Sequence, residues 1–539
     1  MSRLRTSFEP ESPLMPIAQL AHWLASLAVH LLLGLAAGAL IARLMRAKGV
    51  HWGWAAIASP AIYLLRAELH EPSSALLFTA VVATWHARRW HRSDLDAGAD
   101  LAEAAARRRS PGESLAAAAR ALASRHGRFV RSGWTRDGEL ILGVDEHGRA
   151  VPIPFGGARG GTHTLLVGAT GSGKTVTQAV MTTRAIERGM GAIVLDPKGD
   201  AAMRAALAAS ARRAQRPFIE WTPEGPSAYN PFARGSDTEI ADKALAGERF
   251  TEPHYLRQAQ RYLGHVVRTL RAAGVEIGLH QIVRHLDPAE LELLARDLPE
   301  EPAEAVHAYL DSLTTRQLAD LAGVRDRLSI LAESDVGRWL EPQRAGAAAF
   351  DLLAAAEQRA VVYFRLDADR RPLLAQMLAA AIVQDLQTVV SSLQAKPTRA
   401  VVVIDEFSAL AAEHVVRLFG RARSAGVSLI LSTQELSDLR LSGRDALLEQ
   451  VLGNLSVLLA HRQVVAASAE LIGGLAGPRG TWRTSRSSDG RITRTRTREN
   501  VLRAEHVTAL GAGLVAAIVL SGGVRARIAW VAAASREQL

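Results

Sequence analysis

Residues 168–175 contain the amino acids best suited to binding phosphate. They read Gly-Ala-Thr-Gly-Ser-Gly-Lys-Thr, which fills the pattern G-x-x-x-x-G-K-[ST], and the apolar run Thr164–Val167 comes directly before them. Glycines let backbone N–H groups turn inward around phosphate oxygens, and a following helix presents its positive N-terminal end. An ordinary glycine-rich turn is the other interpretation, but the strand-to-helix context argues against it.

This segment therefore predicts a phosphate-binding loop whose cofactors are ATP and Mg²⁺. Lys174 is expected to reach the β and γ phosphates and to take part in catalysis, and Thr175 is expected to bind Mg²⁺. The residues expected to contact the nucleotide are Gly168, Ala169, Thr170, Gly171, Ser172, Gly173, Lys174 and Thr175.

Two acidic residues follow another apolar run. Val401–Ile404 has the composition of a buried strand, and Asp405 and Glu406 come directly after it. At such a position one acid holds the magnesium water shell, and a second acid just beyond the γ phosphate accepts a proton from the attacking water. We therefore predict that Asp405 is a metal residue and that Glu406 is the catalytic base. By themselves these acids are equally consistent with an ordinary strand end, so this prediction depends on the glycine-rich loop.

Polar residues also end two further apolar runs. Ile193–Leu195 leads into Asp-Pro-Lys-Gly-Asp at 196–200, and Val427–Leu431 leads into Ser-Thr-Gln at 432–434. Gln434 is expected to hydrogen-bond the γ phosphate or its attacking water, as a catalytic residue that reports the state of the nucleotide. The alternative for each segment is an ordinary loop at a strand end.

Composition limits the chemistry open to this chain. Its 539 residues exceed one hydrophobic core, and 64 Lys and Arg against 54 Asp and Glu give a formal charge of +10. That charge favours acidic partners such as nucleic acid or anionic lipid without choosing between them. The absence of cysteine excludes disulfides, thiolate nucleophiles and cysteine-bound metals. Histidines show no HExxH spacing.

The N-terminal residues have the features of a membrane anchor. Ile17–Ala42 contains no charged residue, and at about 1.5 Å per residue it can cross a hydrocarbon core of about 30 Å. Two shorter apolar segments follow, Trp52–Leu65 and Ser73–Ala87, with basic residues on both flanks. The positive-inside rule then predicts three crossings with the N-terminus outside. A cleaved signal peptide and a buried core helix are the alternatives.

The rest of the sequence predicts an α/β domain interrupted by helices. Apolar runs that suit parallel strands alternate with helical stretches, whereas residues 239–345 carry Leu, Ala, Arg and Glu at helical spacing. The arginine-rich segment Pro478–Glu499 is expected to be an exposed loop or ribbon, which either contacts DNA phosphates or is simply solvated. The predicted domains are a transmembrane anchor at 1–94, a helical linker at 95–128, the nucleotide-binding domain at 129–238 and 346–539, and an all-α insertion at 239–345.

Taken in order, the motifs resemble the coupling proteins of type IV secretion and conjugation, the TraG/TraD type. The resemblance covers roughly Gly160 to Leu439 and the closing strands. The segments that carry it are GATGSGKT at 168–175, LDPKGD at 195–200, YNPF at 229–232, VVVIDEFSAL at 401–410, GRARSAG at 420–426 and LSTQELSDL at 431–439.

The resemblance implies a RecA-like P-loop domain in a homo-hexameric ring, anchored in the bacterial inner membrane with the motor domain in the cytoplasm. It implies ATP hydrolysis coupled to delivery of DNA, single-stranded and led by a relaxase, into a channel of secretion proteins. Arg423 is then expected to be the arginine finger that reaches the nucleotide of the neighbouring subunit. Arg421 or Arg417 could serve instead.

The sequence differs from this family in its membrane helices, and two other functions are alternatives to the one that the resemblance implies. Coupling proteins commonly have two membrane helices with a cytoplasmic N-terminus, whereas three candidates are present here. A septal translocase of double-stranded DNA shares the RecA-like core. A receptor for protein effectors, which uses ATP mainly to assemble, is the other alternative.

Overall fold

A computed structural model describes residues 17–48, 50–64, 73–96, 138–145, 150–156, 160–247, 250, 252–410, 412–443, 445–486 and 492–531. The contacts divide the chain into one unit of residues 1–100 and 480–498 and another of residues 101–479 and 499–539. Apart from Leu95 and Asp96, the predicted helical linker lies outside the described residues.

The first unit contains three N-terminal helices, which are α1 (Ile17–Lys48), α2 (Gly53–Leu64) and α3 (Ser73–Asp96). Within α1, Leu24–Lys48 has a mean hydropathy of 2.2 and is long and apolar enough to span a membrane. The 12 residues of α2 extend only about 18 Å. Among the described helices of this unit, only α1 is both long enough and apolar enough to cross a membrane. The number of crossings stays a prediction.

Helices α1 and α3 pack closely and run in the same direction. Gly34 and Gly38 face α3, and an added Cβ at Gly38 would lie 2.7 Å from Cβ of Val82. Farther along both helices, the guanidinium of Arg46 lies 5.5 Å from the ring centre of Trp90. The second contact lies the same number of residues farther along both helices, from Gly38 to Arg46 in α1 and from Val82 to Trp90 in α3. The two helices are therefore parallel. Arg46 and Lys48 of α1 therefore lie at the same end of the unit as Arg88 and Arg89 of α3.

An 11-stranded mixed sheet is the centre of the second unit. The strands of the chain are β1 (Glu139–Val144), β2 (Ala150–Pro154), β3 (His163–Val167), β4 (Gly191–Asp196), β5 (Phe218–Trp221), β6 (Ala228–Tyr229), β7 (Ala349–Phe350), β8 (Val361–Arg365), β9 (Ala400–Ile404), β10 (Val427–Thr433), β11 (Val457–Ala460), β12 (Pro478–Arg486), β13 (Ile492–Asn500), β14 (Leu514–Val519) and β15 (Arg525–Trp530).

The order across this sheet is β2-β1-β15-β14-β11-β3-β10-β9-β4-β8-β5. From β11 to β5 the neighbouring strands are parallel, whereas the strands from β2 to β14 continue the sheet in antiparallel pairs. The carboxyl ends of the parallel strands consequently meet at one edge, the place where open α/β sheets bind ligands.

Helices cover both faces of the sheet, and further helices pack on one another between β6 and β7. The helices of this unit are α4 (Lys174–Glu187), α5 (Ala201–Arg213), α6 (Asp237–Leu245), α7 (Pro253–Ala272), α8 (Leu279–His285), α9 (Pro288–Ala295), α10 (Glu300–Asp311), α11 (Thr315–Ala332), α12 (Pro342–Ala345), α13 (Leu352–Glu357), α14 (Pro372–Leu393), α15 (Phe407–Leu410), α16 (Ala412–Val416), α17 (Leu418–Ser424), α18 (Asp445–Asn454), α19 (Ala466–Ala476) and α20 (Ala504–Thr508).

Two apolar clusters lie on the opposite faces of the sheet. In β3, Leu165 and Val167 belong to one cluster and Leu166 belongs to the other. Burial on both faces explains why these strands are continuous apolar runs rather than alternating ones.

Helices α6 to α12 lie between β6 and β7 in the sequence. These two short strands pair in parallel, with Ala228 opposite Ala349 and Tyr229 opposite Phe350. The pairing joins the beginning and the end of the helical segment at its base. The domain boundaries given above stay predictions.

The predicted α/β fold class is confirmed. The apolar runs that precede the four polar motifs correspond to β3, β4, β9 and β10, and the arginine-rich segment forms the two-stranded sheet of β12 and β13. The short strands β5 and β11 are not predicted, because a segment of four residues does not distinguish a strand from part of a helix.

Candidate nucleotide-binding site

The loop at residues 168–173 connects β3 to α4 at the carboxyl edge of the parallel strands. Its backbone is anchored at both ends: Gly168 N donates to Gln434 O at 3.0 Å, and Gly513 N donates to Ser172 O at 3.2 Å. Gly171 and Gly173 have φ angles of 75° and 102°, in the left-handed region that glycine tolerates. The predicted turn is therefore present with the backbone conformation that the glycines allow.

Helix α4 begins at Lys174 without a side-chain cap. Its first N–H groups therefore remain available to an anion at the positive end of the helix. Thr175 is half-buried in this first turn, while Thr170 and Gly171 are exposed at the tip of the loop. The Ser172 hydroxyl is buried without a hydrogen-bond partner among the described residues. These features form a cradle for phosphate groups.

Lys174 reaches across the sheet edge to both predicted acids. Its Nζ lies 2.8 Å from Oε1 of Glu406 and 4.0 Å from Oδ1 of Asp405. All three residues are buried. The structure therefore brings together the predicted phosphate-binding lysine and the two acids, although their roles stay predictions.

The two acids have opposite electrostatic environments. Burial raises the pKa of Asp405, and the opposing effects of Lys174 and of the Ser432 hydroxyl, which donates to Asp405 Oδ1, do not cancel it. Burial also acts to raise the pKa of Glu406, but the charges and hydrogen bonds of Lys174 and Lys198 outweigh burial and place that pKa below its usual value. Glu406 is consequently the carboxylate that stays ionised most readily, as a catalytic base requires.

The predicted residue Gln434 also faces Glu406. Gln434 is exposed after β10, and its Nε2 lies 3.3 Å from Glu406 Oε1. Glu406 itself has φ 47°, a left-handed conformation that is rare outside glycine and is frequent at functional sites. The Gln434 amide therefore lies where it can hydrogen-bond a group that is bound next to Glu406.

Residues after β4 join the site, although the sequence assigned them no role. The Asp196 carboxylate accepts hydrogen bonds from the backbone N–H groups of Lys198, Gly199 and Asp200 at 2.8–2.9 Å. This turn places the Lys198 side chain so that its Nζ lies 3.0 Å from Glu406 Oε1. The signal in the sequence is the Asp-Pro-Lys-Gly-Asp segment, but its contact with Glu406 follows only from the neighbouring positions of β4 and β9.

His461 forms the floor beneath the loop and is the second residue that sequence reasoning missed. It follows β11, its backbone N donates to Val167 O at 2.8 Å, and its Nε2 lies 2.9 Å from the Thr177 hydroxyl. Burial lowers the pKa of His461 to about 4, so the ring is neutral near pH 7. An added Cβ at Gly168 would lie 2.7 Å from His461 Cβ. His461 was missed because the sequence did not predict β11, the strand that His461 follows.

The predicted arginine finger lies at the opposite edge of the sheet. Arg423 belongs to α17, which precedes β10, and its carbonyl accepts from Gly161 N at 3.1 Å just before β3. The 7 residues of β10 separate this edge from the loop by about 20 Å. The exposed Arg423 side chain therefore cannot reach the phosphates of its own subunit. Arg417 is also exposed, and Arg421 donates to Ser391 Oγ at 2.9 Å.

The residues present fit ATP with Mg²⁺. The uncapped start of α4, the buried Ser172 hydroxyl and the ammonium of Lys174 are donors directed at one place. No group of three or more His, Asp or Glu residues in the described part of the chain could hold a metal by itself. Mg²⁺ would instead be held by Thr175 and Asp405 together with the phosphates.

Two family models match the chain. One, described as the TraM recognition site of TraD and TraG, matches residues 399–512, and the other, described as the central domain of the helicase HerA, matches residues 138–323. No curated protein matches the chain.

Solved structures share the fold. The bacterial conjugative coupling protein TrwBdeltaN70 in its unbound monoclinic form has a TM-score of 0.54 and 16% identity, over 75% of this chain and 90% of that one. The plasmid coupling protein TrwB in complex with ADP and Mg²⁺ has a TM-score of 0.53 and 17% identity, over 69% and 86%. VirB4 of Thermoanaerobacter pseudethanolicus has a TM-score of 0.50 and 16% identity, over 75% and 98%.

At these identities the likeness to solved structures establishes the fold alone, and the P-loop α/β expectation agrees with it. The first family model concerns the TraD and TraG type, so the resemblance to that type drawn from the motifs is confirmed.

Proposed function

We propose that this chain is an ATPase, anchored in the bacterial inner membrane, that couples ATP hydrolysis to delivery of DNA into a type IV secretion channel. The observation that carries the proposal is the convergence of Lys174, Asp405 and Glu406 beside the phosphate-binding loop, with the lysine ammonium 2.8 Å and 4.0 Å from the two carboxylates. That set of groups suits phosphoryl transfer to water.

Each residue has a definite task in this chemistry. Lys174 neutralises charge on the terminal phosphates, and Thr175 with Asp405 would hold Mg²⁺, which would supply further charge neutralisation. Glu406 accepts the proton of the attacking water, and Gln434 orients that water. The site must therefore separate Lys174 from Glu406 before hydrolysis, because the lysine cannot serve the carboxylate and the phosphates from one position.

The membrane anchor rests on the length and hydropathy of α1 and on the parallel packing of α1 and α3. If both helices span the membrane, their shared direction requires the chain to return between them, as in three crossings. The basic residues Arg46 and Lys48 of α1 and Arg88 and Arg89 of α3 would then lie in the cytoplasm with the motor domain.

DNA as the substrate is supported by the formal charge of +10 and by the match to the TraD and TraG model. We propose single-stranded DNA led by a relaxase, secretion-channel proteins as partners, and a homo-hexamer as the working form. The match to the HerA helicase domain favours a second candidate, translocation of double-stranded DNA.

Turnover measurements test the proposal. With the full chain in detergent, single-stranded DNA should stimulate ATP hydrolysis in a manner that weakens as salt increases. Lys174→Ala and Glu406→Gln should each reduce kcat by about 10²-fold or more. Lys396→Ala is the matched control, because Lys396 is exposed and lies before β9, at the other edge of the sheet.

The outcomes separate the candidate functions. Preferential stimulation by double-stranded DNA would favour the septal type of translocase. Turnover that no DNA affects at any salt concentration would favour a receptor for protein effectors. Full activity of both site variants would contradict the assigned catalytic site.

A further inference from the structure

Three nitrogen donors converge on a single oxygen of Glu406. Oε1 lies 2.8 Å from Nζ of Lys174, 3.0 Å from Nζ of Lys198 and 3.3 Å from Nε2 of Gln434. Within the described part of the chain, no donor contacts Oε2. The carboxylate is thus held through one oxygen, while the other remains open to accept a proton.

The position of Lys198 is built into the turn after β4. Besides the three backbone N–H groups, the Asp196 carboxylate accepts the hydroxyl of Tyr363 at 2.5 Å. Gly199 has φ 76°, and an added Cβ there would lie 2.8 Å from Cδ of Arg365. The main chain beneath Lys198 is therefore fixed, although nearly half of its side chain is exposed to solvent.

Lys174 and Lys198 differ in whether they can also bind phosphate. Lys174 begins α4 inside the phosphate cradle, so bound phosphates draw its ammonium away from Glu406. Lys198 belongs to a different strand end and has no place in that loop. When Lys174 turns to the phosphates, Lys198 can keep Glu406 Oε1 paired.

We propose that Lys198 is a positioning residue for Glu406, which keeps Oε1 paired and the carboxylate oriented after Lys174 has moved to the phosphates. The inference rests on the proposed ATP hydrolysis and assigns a role to the LDPKGD segment that the proposed function leaves unexplained. Lys198 makes no contact with the reacting atoms and acts only through Glu406.

The test is the split between kcat and KM for ATP, measured on the full chain in detergent. Lys198→Met should reduce kcat at pH 7 by about tenfold, less than the ~10²-fold or greater loss expected for removal of the base itself. KM for ATP should change by less than about twofold, because Lys198 contacts Glu406 rather than the phosphates. Lys198→Arg should retain most of the activity, and Lys396→Met should match the wild type. The thermal unfolding midpoint of each variant checks that it folds.

Two outcomes would overturn the inference. A rise in KM with unchanged kcat would make Lys198 a phosphate contact, and unchanged values of both would make it a surface lysine without a role in positioning. The effect of Lys198→Met must also vanish in a Glu406→Gln background, because it acts through that carboxylate.

A second measurement separates this inference from the proposed function. The infrared difference spectrum between the nucleotide-free wild type and Glu406→Gln isolates the carboxylate stretching bands of Glu406, whose positions report its hydrogen bonds without turnover. If the wild type hydrolyses no ATP, the proposed function fails, yet a shift of these bands in Lys198→Met still shows that Lys198 holds the carboxylate. Unchanged bands contradict the role of Lys198 even in an active enzyme.

Discussion

At the start of the phosphate-binding loop there is no room for a methyl group. An added Cβ at Gly168 would lie 2.6 Å from Oγ of Ser172 and 2.7 Å from Cβ of His461. Because Ser172 belongs to the loop and His461 to its floor, relief of either contact displaces the backbone N–H groups that would surround phosphate. The glycine is therefore required by close packing as well as by the turn.

We predict that Gly168→Ala weakens ATP binding by about tenfold or more, since each misplaced hydrogen bond to a charged group costs about 1.5–3 kcal/mol. The measurement is equilibrium binding of a fluorescent ATP analogue to the full chain in detergent. Gly453→Ala is the control, because Gly453 is exposed in α18 and no atom lies within 4 Å of its added Cβ. Equal affinity of the two variants would show that the loop tolerates the displacement.

Among the elements, a buried ion pair fastens the helical insertion to the sheet domain. Lys243 on α6 places its Nζ 2.6 Å from Oδ1 of Asp385 on α14, and Tyr229 on β6 donates its hydroxyl to the other oxygen of Asp385 at 2.6 Å. Lys243 also donates to the carbonyls of Pro231 and Arg234. The YNPF segment thus supplies both a side chain and a carbonyl to the joint.

Removing one partner should be far more damaging than removing both. Lys243→Met or Asp385→Leu leaves an uncompensated buried charge, for which we expect about 3–5 kcal/mol of destabilisation. The double variant should be much less destabilised than the sum of the single ones. Thermal unfolding of the full chain in detergent gives the order of the midpoints.

The exposed pair of Arg213 and Glu187, at 3.0 Å, provides the control for this cycle. Glu187→Gln should change stability by no more than about 1 kcal/mol, because solvent screens the pair. Additive effects of Lys243→Met and Asp385→Leu would mean that the two residues stabilise the fold independently.

For the whole molecule, the position of Arg423 at the amino edge of the strands constrains how a ring could work. A side chain about 20 Å from the phosphates of its own subunit can stabilise transition-state charge only in a neighbouring one. The proposed hexamer would then form each complete site from two subunits.

This geometry predicts complementation between inactive variants. Arg423→Ala and Glu406→Gln should each abolish most of the turnover alone, since an arginine finger contributes about 10³-fold or more. Mixed rings should regain part of the activity, because a subunit with intact Glu406 can then meet a neighbour with intact Arg423. The measurement is ATP turnover after co-assembly of the two variants at equal amounts.

Arg421→Ala is the matched control, because Arg421 is bonded to Ser391 of its own chain. It should retain activity without mixing. If Arg421→Ala is inactive and Arg423→Ala is active, the finger is Arg421. If mixing restores nothing although both variants assemble, no residue is shared between neighbouring sites.

The sequence by itself determined the phosphate-binding loop, the paired acids and the parallel strands beside them. These features depend on local chemistry, namely glycines that permit one turn, a lysine and a threonine at fixed spacing, and apolar runs that must be buried on both faces. Residues 168–175, Asp405 and Glu406 could therefore be identified as candidate nucleotide-site residues without a structure.

Only the tertiary structure decided which residues meet across the strand ends. Lys198 contacts Glu406 although 208 positions separate them, because β4 and β9 are neighbours in the sheet. His461 lies beneath the loop because the short strand β11 pairs with β3. Strand order is fixed by packing over the whole chain rather than by any local pattern, which is why these two residues, and the distance of Arg423 from the loop, could not be predicted.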